Sequence, residues 1–175
     1  RLLNKQGAKL KVVADLAAFE DANNPAGDEE NVNPNSVLSL GGARVVSDAG
    51  ANDLLRVAAN GRISVLATFP NRLVDAPPFL GLPPGTQIPM DAVPTSVAQG
   101  PDGALYVGQL TGFPFPVGGA NVYRIVPGKA PQVFASGFTN IIDIAFDKRG
   151  TLYVLEIFKN GLLSGDPTGA LIRVD

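Results

Sequence analysis

Leu55-Arg56-Val57, Tyr123-Arg124-Ile125 and Ile172-Arg173-Val174 are three versions of one tripeptide, each embedded in a hydrophobic run that follows a glycine turn. Outward from the first copy, Asn35-Ser36-Val37-Leu38 precedes a turn at Gly41-Gly42 and the run Arg44-Val45-Val46-Ser47-Asp48. After the tripeptide the chain turns at Ala59-Asn60-Gly61 and continues as Ile63-Ser64-Val65-Leu66. The second copy sits in the same frame: Thr95-Ser96-Val97-Ala98, a turn at Pro101-Asp102-Gly103, Leu105-Tyr106-Val107-Gly108-Gln109, the tripeptide, a turn at Pro127-Gly128, then Gln132-Val133-Phe134-Ala135. The third reads Ile142-Asp143-Ile144-Ala145-Phe146, a turn at Asp147-Lys148-Arg149-Gly150, Leu152-Tyr153-Val154-Leu155-Glu156, and the tripeptide. Asp-Gly, Asn-Gly and Gly-Gly supply the positive φ of tight hairpins, and β-branched and aromatic residues suit a pleated, half-buried surface. Four short strands per unit, with inner strands recurring about 45 to 60 residues apart, is the signature of a propeller blade. The expected fold class is all-β, a partial β-propeller of four-stranded antiparallel blades.

The phase of the repeat sets the expected organisation. Residues 1–14 read as the end of one blade, with an outer strand near Leu10-Lys11-Val12-Val13; residues 35–68 and 94–135 read as full blades, and 142–175 as three strands of a further blade. Propellers close with about four to eight blades. The chain is therefore expected to be a fragment of a larger, roughly six-bladed ring, its missing blades supplied by the same protein or by a second chain.

Composition limits the chemistry. The chain has 45% hydrophobic and 17% charged residues and a formal charge of -2, enough apolar material for a core and no basic footprint for nucleic acid. Twenty glycines and 15 prolines suit many short strands and turns. No run is long and apolar enough to span a membrane. There is no cysteine and no histidine, which removes thiol nucleophiles, thiolate metal sites and any triad or metal centre built on imidazole. Carboxylates, amides, hydroxyls or a hard cation remain.

In a blade whose strands run outward from the channel, the first-to-second and third-to-fourth turns share one face, and the other connections share the opposite face. Here the first set is short, whereas the second carries insertions at residues 16–33, 70–93, 110–121 and 157–169. Long loops on a rigid scaffold are where binding concentrates, so this face is the expected working surface. The first insertion holds Glu20, Asp21, Asp28, Glu29 and Glu30 with no basic residue and reads as an acidic loop that either attracts a cation or is simply solvated. The second contains Pro77-Pro78 and Pro83-Pro84 around Phe79, Leu80 and Leu82, and proline-fixed φ angles favour a lid of set shape. Phe113-Pro114-Phe115-Pro116 adds two aromatics that can form an apolar rim.

Inner strands begin at the channel mouth on this face with Asn35, Thr95 and Ile142, and second strands end there with Asp48, Gln109 and Glu156; Asn33, Asn140 and Asp143 lie nearby. The candidate ligand-binding set is accordingly Asn35, Asp48, Thr95, Gln109, Phe113, Phe115, Asn140, Asp143 and Glu156. Oxygen ligands at a channel mouth suit Ca²⁺ or Mg²⁺. The recurrence of Asp48, Gln109 and Glu156 at one blade position equally suits a turn brace, Asp48 with Asn52-Asp53 above all. No blade departs from the others with a distinctive carboxylate pair.

Ala67-Thr68-Phe69-Pro70-Asn71-Arg72, Pro77-Pro78-Phe79-Leu80-Gly81-Leu82-Pro83 and Val93-Pro94-Thr95-Ser96-Val97-Ala98 resemble the ScyD/ScyE family of bacterial proteins. So do Gly108 to Pro116, Gly137-Phe138-Thr139-Asn140-Ile141-Ile142-Asp143 and Leu163-Ser164-Gly165-Asp166-Pro167-Thr168-Gly169-Ala170. The resemblance implies an exported, NHL-like propeller, periplasmic or extracellular, and carries no particular reaction. Two functions follow as expectations. One is a non-catalytic binding or scaffold propeller gripping a protein, glycan or small molecule through the insertion face. The other resembles gluconolactonase and SMP-30-like propellers, with a divalent cation polarising a lactone or ester carbonyl and Asp48, Asp143 and Glu156 as first ligands or bases.

Overall fold

The computed structural model describes residues 11–175. β1 (Pro34–Leu40), β2 (Ala43–Asp48), β3 (Asp53–Val57) and β4 (Ile63–Thr68) pair in sequence order as a four-stranded antiparallel sheet. β5 (Arg72–Asp75) and β6 (Gln87–Met90) form a separate hairpin within the proline-rich insertion. β7 (Pro94–Gln99), β8 (Leu105–Gln109), β9 (Ala120–Ile125) and β10 (Gln132–Phe138) make a second four-stranded sheet. β11 (Ile141–Phe146), β12 (Leu152–Glu156) and β13 (Ala170–Val174) make a three-stranded third. These are the blades of a β-propeller.

Alternation along the strands glues the blades together. Leu105 and Val107 of β8 pack toward the first blade with Val45, Leu54 and Val97, whereas Tyr106 faces the third with Ile144, Leu152 and Val154. Each fully buried aliphatic side chain contributes about 1.5–3 kcal/mol. The Tyr106 ring lies 4.9 Å from Phe134 and 4.8 Å from Phe146, both edge-on. A Cβ on Gly108 would come within 2.6 Å of Ser96 Oγ and 2.8 Å of Ile141 Cγ2, so a side chain there would push the blades apart.

The blades also repeat in their irregularities. Each inner strand opens with a register shift, between Pro34 and Ser36, Pro94 and Ser96, and Ile141 and Asp143. Just before it, the chain is pinned to the second strand by one backbone bond: Ala49 N–H to Asn33 carbonyl (3.0 Å), Leu110 N–H to Val93 carbonyl (2.9 Å), Ile157 N–H to Asn140 carbonyl (3.1 Å).

Two readings change. Lys11–Val13 carry no strand, and Val12 and Val13 instead line an apolar groove with Val37, Val46 and Val57 of the first sheet; the expected features at residues 1–10 lie outside the described residues. The acidic first insertion is not all loop. It opens with helix α1 (Leu16–Asn23), capped by Asp15 accepting from Ala18 N–H at 3.1 Å and closed by Asn24 in the left-handed region at φ 35°.

Candidate functional site at the insertion face

The four insertions meet on one face. Asp28 of the first accepts from Asn52 Nδ2 at 2.9 Å, and Asn52 Oδ1 accepts the Val93 N–H at the end of the second insertion, also at 2.9 Å. Arg72 in β5 donates to Gln109 Oε1 (3.4 Å) and to the Gly119 carbonyl, tying the second insertion to the third. Phe79 and Phe113 stack edge-on at 6.2 Å, and Phe113 meets Phe115 at 6.3 Å. A Cβ on Gly161, in the fourth insertion, would lie 3.1 Å from Val117 of the third.

Between the first two insertions lies a cavity of about 190 Å³, lined by Asp28, Glu29, Asn31, Asn52, Asn71 and Asp91. Beside it, Gly112 donates to the Asp91 carbonyl (2.9 Å), which carries the wall of the cavity onto an apolar rim where Phe79 is 68% and Phe113 39% exposed. Three carboxylates and three amides line the cavity, and no basic side chain does.

The candidate residues divide by what their side chains already touch. Asp48 is fully buried, and its Oδ1 accepts from Asn33 (2.7 Å), Gly50 (3.1 Å) and Ala51 (3.1 Å) N–H groups. Glu156 Oε1 accepts the Thr139 N–H at 2.6 Å. Burial holds the Glu156 carboxyl above its usual range, opposed by that bond. Gln109 Oε1 accepts from Asn121 N–H (3.2 Å) and the Tyr123 hydroxyl (3.4 Å). Asn140 is buried, donating to the Leu110 carbonyl (3.1 Å) and accepting from Leu162 N–H (3.0 Å). Thr95 Oγ1 donates across the blade boundary to the Ile141 carbonyl at 2.7 Å. Asn35 and Asp143 are exposed, Asp143 accepting from its neighbour's N–H, Ile144, at 2.9 Å. Phe113 and Phe115 belong to the rim.

The first blade does depart from the others. Asp48 pairs across the ladder with Asp53, putting two carboxyl groups side by side. Counting back from the tripeptides, the position of Asp53 is held by Asn121 in the second blade, against Gln109, and by Ala170 in the third, against Glu156. Onto this acid pair helix α1 lowers its one buried side chain, Glu20. Burial first, then Asp48, Glu20 and Asp28, push the Asp53 carboxyl up to about 8; burial, Asp28 and Asp48 raise Glu20. The signal was present in the sequence: two acids flanking a four-residue turn face each other once the hairpin closes.

No family model and no curated protein matches this sequence. A solved structure does. The crystal structure of a catalytically inactive histidine-to-alanine variant of virginiamycin B lyase from Staphylococcus aureus, with quinupristin, superposes with a TM-score of 0.52 at 14% identity. The match covers 85% of this chain and 42% of the lyase, so the chain spans less than half of that protein's length. At that identity the likeness establishes the propeller fold and nothing of the chemistry. Among the described residues no helix is long and apolar enough to cross a membrane.

Proposed function

We propose that this chain is part of a non-catalytic propeller that binds through its insertion face and works outside the cytoplasm. The observation that carries this reading is the joining of all the insertions into one surface that offers an oxygen-lined cavity next to an exposed aromatic rim. Acceptor-rich walls without a basic residue suit hydroxyl donors and cationic groups and repel anions. The ligand class is therefore a neutral polyhydroxylated molecule, such as a glycan, or an amine. The ScyD/ScyE resemblance supports the extracytoplasmic location.

The hydrolase reading needs Asp48, Asp143 and Glu156 to work together. Asp48 and Glu156 each commit an oxygen to backbone N–H groups, Asp143 is exposed, and the second blade stands between Asp48 and the other two. The lyase of known structure is catalytically inactive as a histidine-to-alanine variant, and these 175 residues, matched to 42% of it, contain no histidine, so the likeness lends them no chemistry.

Titration calorimetry with neutral, amino and sulfated oligosaccharides tests the proposal. Binding of neutral or amino sugars that Asn71→Ala with Asp91→Ala weakens at least tenfold is the expected result. Preference for sulfated sugars, or lactone hydrolysis abolished by Glu156→Gln, overturns it.

A further inference from the structure

Helix α1 is seated on the first blade by an acid. Of its eight residues Glu20 alone is fully buried, at 2% exposure, with Leu16 and Phe19 half-buried beside it. Two turns of helix are not stable alone in water and depend on what they pack against. Among the described residues the hydrogen bonds of α1 and its caps are local: Ala18 N–H donates to Asp15, Asn23 Nδ2 to the Phe19 carbonyl, and Asn24 N–H to the Glu20 carbonyl. None of these reaches a strand. The helix therefore keeps its place by burying three side chains, and the most deeply buried of them is a carboxyl group.

The seat is acidic as well. Glu20 comes down where Asp48 and Asp53 face each other across β2 and β3. Both oxygens of Glu20, both of Asp53, Asp48 Oδ2 and Asp28 Oδ1 are buried without a hydrogen-bond partner, and Asp53 is not exposed at all. The charged groups that act on Glu20 are Asp28, Asp48, Glu30 and Asp21; those that act on Asp53 are Asp48, Glu20 and Asp28. Every one is an acid, and residues 16–33 contain no lysine or arginine. Burial first and these neighbours second hold the Glu20 carboxyl above its usual range and push Asp53 up to about 8. An ionised carboxylate only accepts, whereas a protonated one also donates. Protons on Glu20 and Asp53 are thus the donors this corner lacks.

We propose that α1 is a proton-dependent latch, which lies on the first blade while Glu20 and Asp53 carry protons and lifts from it when they ionise. Asp48 serves as acceptor through Oδ2, since its Oδ1 is taken by three N–H groups. Lifting returns the Glu20 carboxylate to water and removes one of the three acids that act on Asp53. Both groups hold their protons more tightly with the helix down. The latch is therefore fully closed below the usual carboxylate range and loosens as pH rises through the raised values, for Asp53 about 8. The same insertion runs on to Asp28, Glu29 and Asn31 in the cavity wall, and Asn52, next to Asp53, donates to Asp28, so the latch adjoins the cavity. It does not rest on the proposed sugar or amine binding, because it is read on the helix itself.

Native-state amide exchange followed against pH tests the latch. After correction for the intrinsic pH dependence of exchange, protection over residues 16–23 is expected to fall about tenfold or more, relative to that of β7–β9, between about pH 5 and pH 9. Glu20→Gln and Asp53→Asn are neutral at every pH and keep the shape of the acids. Each is expected to remove much of that fall, and the two together all of it, whereas Asp21→Asn, on the exposed side of the same helix, keeps it. Protection that does not fall relative to β7–β9 in the unmodified protein overturns the proposal even if a variant fails to fold. So does a pH dependence that survives in the double variant, or one lost equally in Asp21→Asn.

Discussion

The first and second blades solve one structural problem with opposite electrostatics. In both, the last residue of the second strand faces a residue two before the repeated tripeptide. In the second blade these are two amide residues, and Gln109 Oε1 collects the Asn121 N–H, the Tyr123 hydroxyl and Arg72. In the first they are Asp48 and Asp53, and Asp53 collects nothing. Neutral donors and acceptors can satisfy each other inside a fold, whereas two carboxylates share no donor and repel until one takes up a proton, which is why Asp53 is pushed up to about 8. One position in the repeat thus collects three donors on Gln109 Oε1 in one blade, with Gln109 Nε2 left over, and is an acidic corner in the other. The third blade falls between them, with Glu156 against Ala170.

Removing the brace altogether is the most damaging way to disturb this comparison. Asp48→Ala takes the acceptor from three backbone N–H groups and is expected to cost about 3 kcal/mol in urea unfolding. Giving the first blade the second blade's chemistry acts the other way. At pH 7, Asp53→Asn is expected to stabilise by about 2 kcal/mol, because the Asp53 carboxyl, pushed up to about 8, takes up a proton on folding, whereas asparagine needs none and still offers Asp48 a donor. A loss of stability would show that the protonated acid pair is already satisfied. In the second blade, Arg72→Ala deletes the link from hairpin β5–β6 to Gln109 and Gly119, at a cost of about 1 kcal/mol, with faster proteolysis between residues 76 and 86 as the local readout.

The third blade provides the smallest and most specific effect. Burial raises the Glu156 pKa, so the folded chain holds a proton that the unfolded chain releases at lower pH. This group's contribution is complete below the usual carboxylate range and is lost as pH rises through the raised value. Glu156→Gln keeps an acceptor for Thr139 N–H and cannot titrate. The urea midpoint of the unmodified protein is expected to fall relative to that variant between pH 4 and pH 7; parallel curves would remove Glu156 as the source.

Most of the propeller was readable because its signals are local. Gly41-Gly42, Asn60-Gly61 and Asp102-Gly103 mark turns by backbone geometry, and runs such as Leu105 to Gln109 announce strands buried on both faces. Helix α1 was hidden because Leu16–Asn23 buries only a glutamate, so it has no apolar stripe to give it away. Hairpin β5–β6 was hidden because prolines at 77, 78, 83 and 84 lie between two strands of four residues each. Of the candidate site, the recurring position of Asp48, Gln109 and Glu156 was visible. Its meaning was not, since that depends on which residue lies across the ladder.

The amino-acid sequence alone determined the blade repeat, the phase that gathers the insertions on one face, and the lack of imidazole and thiol groups within these 175 residues. Each follows from residue identity and short-range periodicity. Tertiary structure decided which acids lose their water and their partners. Asp48 and Asp53 become a pair only when β2 meets β3 in register, and Glu20 becomes part of that corner only when α1 folds down on it. Desolvation and charge repulsion act through distance and burial, which a linear order of residues does not contain.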